Sequence, residues 1–246
     1  MQAHHEPWLT ALFNDHLAGV ANAILTAVGT HAHDPARPWS TPVVMQFVVA
    51  AILMVVFAIL RARLSMDRPG KLQHIFELVY QFLHGQTEEQ IGHHGPKYVA
   101  LFGTLFLFIL FSNLLGIVPT FESPTMFPEV PAGLALVAFG YYNFVGIQAH
   151  GLGKYLSHFL GPIPVMAPLM IPIEVVSHLA RPLSLTVRLF ANMYAGEQVT
   201  LVFLKLTMVF APALFMGLHV FVSFLQAYVF ALMTMMYVAG ATAEEH

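Results

Sequence analysis

Residues Val43 to Leu60 read VVMQFVVAAILMVVFAIL, an eighteen-residue run in which Gln46 is the one strongly polar side chain. A helix needs about twenty apolar residues to cross the hydrocarbon core of a bilayer, so this run predicts a membrane-spanning helix. The composition of the whole chain agrees: 57% of its 246 residues are hydrophobic and 9% are charged, whereas soluble domains carry roughly 25% charge. We therefore expect an all-α integral membrane protein.

The composition also excludes several kinds of site. The chain has no cysteine, so disulfides, thiolate metal sites and cysteine nucleophiles are ruled out. The formal charge of −3 is too small to indicate a nucleic acid partner. The start of the chain, MQAHHEPWL, lacks the basic and apolar regions of a cleavable signal peptide. We expect neither a metal nor a cofactor, and we interpret six histidines in loops or near the chain start as solvated: His4, His5, His31, His33, His93 and His94.

Five membrane crossings are expected within a membrane domain of residues 41–246, which follows an N-terminal segment of residues 1–40. The predicted crossings are 43–60, 98–118, 130–147, 163–210 and 211–240. Between the first two, residues 71–91 place apolar side chains at helical spacing among polar ones, which predicts an amphipathic helix lying on the inner membrane face.

The orientation follows from the basic residues. A cluster of four follows the first crossing directly: Arg61, Arg63, Arg68 and Lys71. By the positive-inside rule this cluster stays in the cytoplasm. The N-terminal segment is therefore expected outside, and the C-terminus in the cytoplasm.

The last two predicted crossings are longer than a bilayer is thick. As helices they would measure about 72 and 45 Å, against about 30 Å of hydrocarbon. Each is therefore expected to be kinked or steeply tilted. Prolines that would bend the first of them are Pro162, Pro164, Pro168, Pro172 and Pro182.

Charged residues interrupt the first of these long segments. Glu174, Arg181 and Arg188 are seven residues apart and so share one helix face, whereas Glu197 lies nine residues beyond Arg188 on the opposite side. A charged side chain at bilayer depth costs about 3 kcal/mol on insertion scales and marks a functional site by default. Arg188 has no acid three or four positions away, so we expect its partner on another helix or another chain. Because arginine stays protonated, it suits a fixed positive charge and not a proton carrier.

The last segment carries a polar stripe, in which His219 and Gln226 are seven residues apart with Ser223 between them. Such a stripe on a helix that otherwise suits lipid indicates a wet groove. Near the cytoplasmic end of the preceding segment, Glu174, His178 and Arg181 have two open interpretations. They either act in function or are paired, or snorkelling, near the membrane surface.

Two alternative functions also fit parts of this pattern. The first is a membrane anchor of a redox complex, with His178 and His219 as axial ligands of a haem. It explains the histidines but leaves Arg188 and Glu197 without a role. The second is an independent ion transporter or channel that works without a rotor.

The stretch ARPLSLTVRLFANMYAGE, residues 180–197, closely resembles the signature of the subunit a family of F-type ATP synthases. In that family a run like S-L-x-x-R-L-F-x-N-x-x-A-G-E surrounds an essential arginine. SNLLGIVPT, residues 112–120, and LHVFVSFLQAYVFALMTMMYV, residues 218–238, resemble the same family. The resemblance implies two long, tilted helices against a rotating ring of subunit c, with subunit b as the stator and a soluble F1 head.

The resemblance also implies roles for particular residues. Arg188 matches the family arginine, which separates two half-channels. The positions that match the outer access path are Asn192, Glu197, His219 and Gln226, and those that lead towards the inner path are Glu174 and His178. The outer loop TMFPEVP departs from the polar run of many family members, which leaves Glu122 and Glu129 as candidates for the channel mouth.

The implied function is coupling of proton flow to rotation and ATP synthesis in the bacterial inner membrane. Protons would reach and leave the carboxylates of the c-ring through the two half-channels. The ATP chemistry is expected on other subunits, since this chain has no GxxxxGK[ST] loop. We also expect Glu197 and His219 to lie at hydrogen-bond distance on facing helices.

Overall fold

A computed structural model of the chain contains seven α-helices and no strand in the part that it describes, which is residues 7–27, 29–30, 34–66, 69–118, 120–151, 153, 155, 167–206 and 210–242. The helices are α1 Trp8–Ala27, α2 Thr41–Ala62, α3 Lys71–Ile91, α4 Val99–Leu115, α5 Glu129–His150, α6 Ala167–Leu206 and α7 Phe210–Thr242. A 3-10 helix, Gly92–Tyr98, joins α3 to α4, and another, Pro124–Met126, lies in the connector of residues 116–128 between α4 and α5. The all-α class expected from the sequence is confirmed.

Four stretches of the described chain are long and apolar enough to cross a membrane: Thr41–Ala62, Gly95–Leu115, Glu129–His150 and Ala213–Thr242. They include α2, α4 and α5 and most of α7, which makes the chain a multi-pass membrane protein. α6 is the remaining predicted crossing. It is less apolar because its 40 residues include two arginines and two glutamates.

Each of the last two helices is continuous over its length. α6 has 40 residues and α7 has 33, which correspond to about 60 and 50 Å. Pro172 and Pro182 lie inside α6 without ending it, and Pro168 is its second described residue. Pro162 and Pro164 lie outside the described residues. Both helices are longer than the bilayer is thick, as the sequence predicts. Their steep tilt stays a prediction.

The core of the bundle is built from α4, α5, α6 and α7: α7 packs against the other three, and α5 also packs against α6. On α6, Leu185, Leu189 and Met193 are four residues apart and fully buried, so they form a continuous apolar stripe. On α7, Ala227 and Ala231 are also fully buried, and small residues let neighbouring helices approach closely. This packing fixes which faces of α6 and α7 carry polar residues into the bundle.

α3 joins this core along one side. It packs against α4 and α7, and the Tyr228 hydroxyl of α7 donates a hydrogen bond of 3.0 Å to Oε1 of Gln86. α3 buries Leu83 but leaves Ile75 and Leu78 largely exposed. The predicted helix is thus present, and its amphipathic place on the inner membrane face stays a prediction.

α1 is held against the start of α2 by polar contacts. The Asn14 side chain accepts a hydrogen bond of 2.9 Å from the Trp39 backbone N–H and donates one of 3.2 Å to the Trp39 carbonyl. The Trp39 indole N–H donates to the Leu17 carbonyl at 2.9 Å. The described part of the N-terminal segment is thus mostly helix α1, and these bonds fix it beside α2.

The return from α3 to α4 depends on a glycine without a side chain. A Cβ at Gly95 would collide with the backbone carbonyl of Thr87 on α3. That close approach lets the 3-10 helix fold back against the helix that it follows. By contrast, a Cβ at Gly85, in the middle of α3, would meet open space.

We predict that Gly95→Ala lowers the free energy of unfolding by about 1–3 kcal/mol, because overpacking displaces the backbone. The matched variant Gly85→Ala should be neutral or stabilising, since alanine is the better helix former by about 1 kcal/mol. Thermal unfolding midpoints in detergent and protein levels in membranes measure both. Equal behaviour of the two variants would contradict the tight return at Gly95.

Candidate functional site

Arg188 lies near the middle of α6, away from the buried stripe on that helix, and its side chain is partly exposed. In the described part of the chain no carboxylate lies within ion-pair distance of its guanidinium group. The neighbouring side chains Leu183 and Val187 are largely exposed. Arg188 is thus a cation at the edge of an apolar surface of the bundle, without an internal counter-charge among the described residues.

A buried polar cluster lies where the connector packs on α4 and α6, and where α4 packs on α7. We call it the connector cluster, and its members are Ser112, Asn113, Ser123, Thr125 and Ser223. The Thr125 hydroxyl donates to Oδ1 of Asn113 at 2.6 Å, and Nδ2 of Asn113 donates to the Ser223 carbonyl at 3.4 Å. The Ser123 hydroxyl donates to the Ser112 carbonyl at 3.0 Å and lies 2.7 Å from the Thr125 hydroxyl. These bonds join the connector to two helices of the core.

Glu197 and His219 lie beside this cluster. They do not form the hydrogen bond that is expected from the sequence. Glu197 Oε2 and His219 Nε2 are both buried without a hydrogen-bond partner, as are the hydroxyls of Ser112 and Ser223. The His219 ring packs on the backbone of α6, where a Cβ at Gly196 would lie 3.2 Å from Nδ1. The prediction of a hydrogen bond between Glu197 and His219 is therefore wrong, because the His219 ring packs on Gly196 and does not bond to the Glu197 carboxylate.

The connector contributes a further acid to this region. The charge of Glu122 is close enough to act on the Glu197 carboxyl. Glu129, the other acid considered for the channel mouth, is exposed at the first residue of α5. Of the two, Glu122 is the one that acts on a predicted site residue.

Asn192 and Gln226 are brought together across α6 and α7. Nδ2 of Asn192 donates a hydrogen bond of 2.7 Å to Oε1 of Gln226, whose side chain is buried. Asn192 is one turn beyond Arg188 on the same helix, and Gln226 is one turn beyond Ser223. This contact therefore lies between Arg188 and the connector cluster.

A second polar cluster lies towards the other end of α6. We call it the tyrosine cluster, and its members are Tyr142, Asn143, Tyr155, His178, Arg181 and Tyr237. Nε2 of His178 is 2.9 Å from Oδ1 of Asn143, which also accepts a hydrogen bond of 2.8 Å from the Tyr155 hydroxyl. The Arg181 guanidinium stacks over two rings, 5.8 Å from the centroid of Tyr142 and 5.3 Å from that of Tyr237. The cluster thus ties α6 to α5 and α7.

Glu174 lies one turn before His178 on α6, and its charge acts on that imidazole. Its side chain is partly exposed. Glu174 is thus at the edge of the tyrosine cluster. Arg181 lies against the rings of Tyr142 and Tyr237, whose centroids are 5.7 Å apart, and both interpretations of this region stay open.

Several side chains that bond in these clusters were not predicted from the sequence, among them Asn113, Thr125, Asn143 and Tyr155. Asn113 and Asn143 could have been noticed, because each is a strongly polar residue inside a predicted crossing. Thr125 and Tyr155 lie in connecting segments outside the predicted crossings, where polar residues are common. Each meets its partner only because the chain folds back beside the preceding helix.

The structure does not bring His178 and His219 together. His219 packs on Gly196, which is eighteen residues from His178 along the continuous helix α6, or about 27 Å. The two imidazoles therefore cannot ligate one haem. Among the described residues no group of three His, Cys, Asp or Glu side chains is placed to hold a metal ion. His4, His5, His31 and His33 lie outside those residues.

A separate groove of about 1130 Å³ opens between α2, α3 and α4. Its lining is mainly apolar, with Gln73 and Glu77 among the lining residues, and it contains none of the predicted proton-path residues. Nε2 of Gln73 donates to Oε1 of Glu77 at 2.7 Å. The candidate site is thus the pair of polar clusters along α6 and not this groove.

Comparison with known proteins agrees with the resemblance seen in the sequence. The model of the ATP synthase A chain family matches residues 43–239. The chain is 71% identical to the ATP synthase subunit a of Solibacter usitatus (strain Ellin6076), over 96% of this chain and all of the relative. It is 45% identical to the ATP synthase subunit a of Koribacter versatilis (strain Ellin345), over 98% and 99% of the two chains, and 39% identical to that of Aquifex aeolicus (strain VF5), over 82% and 98%. The chain therefore belongs to the ATP synthase A chain family.

Proposed function

We propose that this chain moves protons to and from a rotating ring of c subunits through two half-channels that are offset along α6. The observation that carries the proposal is the position of Arg188. It lies nine residues from Glu197 and ten from His178, about 14 and 15 Å along the helix, and so stands between two polar clusters. A fixed charge between two separate polar paths is the arrangement that couples proton transfer to rotation.

In this proposal the outer path enters through the connector cluster. Buried polar atoms nearly always have hydrogen-bond partners, so four unpartnered atoms in one region indicate a place where water or a proton enters. The four belong to Ser112, Glu197, His219 and Ser223. Glu122 stands at the connector side of this path, and Asn192 with Gln226 leads from it towards Arg188.

Water links Glu197 and His219 in the proposed path, since the two side chains do not bond directly. The carboxyl and the imidazole are groups that exchange protons readily near neutral pH. Glu197 faces away from Arg188 on α6, so its proton is kept apart from the fixed charge. This separation lets the outer path deliver a proton to a ring carboxylate without neutralisation of Arg188.

The inner path in this proposal runs through the tyrosine cluster. His178 supplies a titratable nitrogen, and Glu174 lies at the partly exposed edge of the cluster. Arg181 lies against two aromatic rings and adds a second positive charge near the exit. A proton released from the ring would pass His178 and then Glu174 to the cytoplasm.

Arg188 acts on the ring as a charge that cannot be titrated. It attracts each ionised ring carboxylate as that carboxylate reaches α6, and it blocks direct transfer between the two paths because an arginine side chain stays protonated and does not pass a proton on. The exposed apolar side chains beside it, Leu183 and Val187, suit contact with the neutral, lipid-compatible face of the ring. Each proton that crosses supplies about 2.3 kcal/mol per 100 mV of membrane potential.

The chain performs this task as one subunit of a larger complex and not as an enzyme alone. The proposed partners are the c-ring, the subunit b stator and, through them, the soluble F1 head that carries the ATP chemistry. The proposed location is the bacterial inner membrane, with the N-terminus outside and the C-terminus in the cytoplasm.

We predict that Arg188→Ala abolishes ATP-driven proton pumping and proton-driven ATP synthesis while the complex still assembles. Passive proton leak through the membrane sector should rise, because the barrier between the paths is gone. Arg188→Lys should also fail, since an ammonium group is more strongly hydrated and lacks the planar fork of guanidinium. Pumping and leak are measured in inverted membrane vesicles by the quenching of a pH-sensitive dye.

The matched control is Arg61→Ala, which removes an exposed arginine at the end of α2 and should leave pumping unchanged. Co-purification of the variants with the ring and the F1 head establishes assembly. Normal coupled pumping by an assembled Arg188→Ala complex would overturn the proposed function, and transport by the chain without a ring would favour an independent transporter.

We predict that Glu197→Gln and His219→Gln each lower the pumping rate per assembled complex about tenfold or more, as loss of a proton-transfer group does. The pH dependence of the remaining rate should also change in each variant. Rates are measured between about pH 6 and pH 9 and compared as full pH profiles. Glu88→Gln, an exposed carboxylate on α3, serves as the matched control.

A purely structural role for Glu197 and His219 has a different outcome. Loss of a structural contact would reduce the amount of assembled complex and leave the normalised rate and its pH profile unchanged. That result in both single variants would refute the outer path.

A further inference from the structure

The orientation of the Asn143 side chain is fixed by its partners. One side of its amide lies 2.7 Å from the Phe139 carbonyl, which can only accept a hydrogen bond, so this side must be the donor Nδ2. The oxygen Oδ1 therefore faces the Tyr155 hydroxyl at 2.8 Å and His178 Nε2 at 2.9 Å. Because Oδ1 can only accept, both of these groups must donate to it.

This geometry selects one tautomer of the neutral His178 ring. Nε2 carries the proton that is donated to Asn143, and Nδ1 carries the lone pair. The Tyr142 hydroxyl lies 3.4 Å from Nδ1 and 3.3 Å from Nε2, longer than the contact with Asn143. In a histidine the partner of one ring nitrogen decides which nitrogen accepts the next proton, so Nδ1 is the acceptor here.

Tyr155 reaches Asn143 because the residue of α5 against which its ring packs, Gly146, has no side chain. A Cβ at Gly146 would lie 2.6 Å from Cε2 of Tyr155 and 3.2 Å from Cβ of Ala241 on α7. Burial raises the pKa of the Tyr155 hydroxyl, which therefore remains a donor across the physiological range. The close approach of the ring thus fixes one of the two donors on Asn143.

Among the described residues, the charged and titratable groups around His178 come from three helices and from Tyr155, which follows α5. α5 contributes Tyr142, and Tyr155 follows it. α6 contributes Arg181 and Glu174, whose charges act on the imidazole in opposite directions. α7 contributes Tyr237, on which Arg181 stacks. Asn143 is the neutral group that binds one particular nitrogen of the His178 ring, Nε2.

We propose that Asn143 and Tyr155 are positioning residues that hold His178 with its proton on Nε2, so that Nδ1 faces the proton path between the ring and the cytoplasm. The inference rests on the proposed function, because it names the device that orients the inner path. Neither residue carries the proton itself. Each acts through the direction in which His178 accepts and releases it.

The test is the pH profile of ATP-driven pumping in inverted vesicles of the assembled complex, in which the medium faces the cytoplasmic side. Asn143→Asp places a carboxylate on Nε2–H and stabilises the imidazolium, so the pH of half-maximal pumping should rise by about 1 unit. Asn143→Leu removes the acceptor, destabilises the imidazolium and should lower that pH. Opposite shifts of the two variants are the expected result.

Tyr155→Phe tests the same device with the loss of a single oxygen, so it remains informative where an Asn143 variant fails to assemble. It leaves Oδ1 more available to His178 and should raise the pH of half-maximal pumping, by less than Asn143→Asp does. Neither Tyr155→Phe nor Asn143→Leu adds a titratable group that could produce a shift of its own. Tyr141→Phe, on the adjacent position of α5, is the matched control and should leave the profile unchanged.

The outcomes separate this inference from the proposed function. Pumping that depends on Arg188, with rates lowered equally at every pH in Asn143→Leu and Tyr155→Phe, would overturn the positioning role and leave the proposed function standing. An unchanged profile in both variants would do the same. Pumping that does not depend on Arg188 would overturn both.

Discussion

The constraint on which the rest of the structure depends is the burial of one apolar stripe of α6 among helices of the core. Leu185, Leu189 and Met193 are fully buried, and α6 packs on α5 and α7. A charged helix is costly in hydrocarbon, so this stripe must hold α6 in the bundle. Once the stripe is buried, the rotation of α6 is fixed, and with it the direction of every charged side chain on the helix.

The two polar clusters follow from that rotation. At one end, the backbone of Gly196 meets His219 of α7, and Oε2 of the half-buried Glu197 side chain is buried near the connector. At the other end, His178 and Arg181 meet α5 and α7. Arg188 lies between them, partly exposed. The two polar regions thus lie at different positions along one helix, and the stretch of α6 around Arg188 separates them.

The two clusters satisfy their polar groups differently. In the tyrosine cluster Asn143 bonds on both sides of its amide, and the guanidinium of Arg181 stacks on aromatic rings. In the connector cluster Asn113 and Thr125 are bonded, but the hydroxyls of Ser112 and Ser223 lack partners. A fully bonded network fixes geometry, whereas unpartnered buried groups favour exchange with water. The proposed inner and outer paths thus differ in character.

The sequence by itself determined the class of the fold, the family and the distribution of charge along α6. Apolar runs such as Val43–Leu60 are long enough to span a bilayer whatever they pack against, and helical periodicity places Glu197 opposite Arg188 from spacing alone. The tertiary structure decided which helices meet. It placed Asn143 and Tyr155 on His178 and set His219 on Gly196 instead of on the Glu197 carboxyl, because such contacts depend on the relative rotation and depth of separate helices. Hydrophobic pattern does not encode those two quantities; close packing of the core side chains sets them.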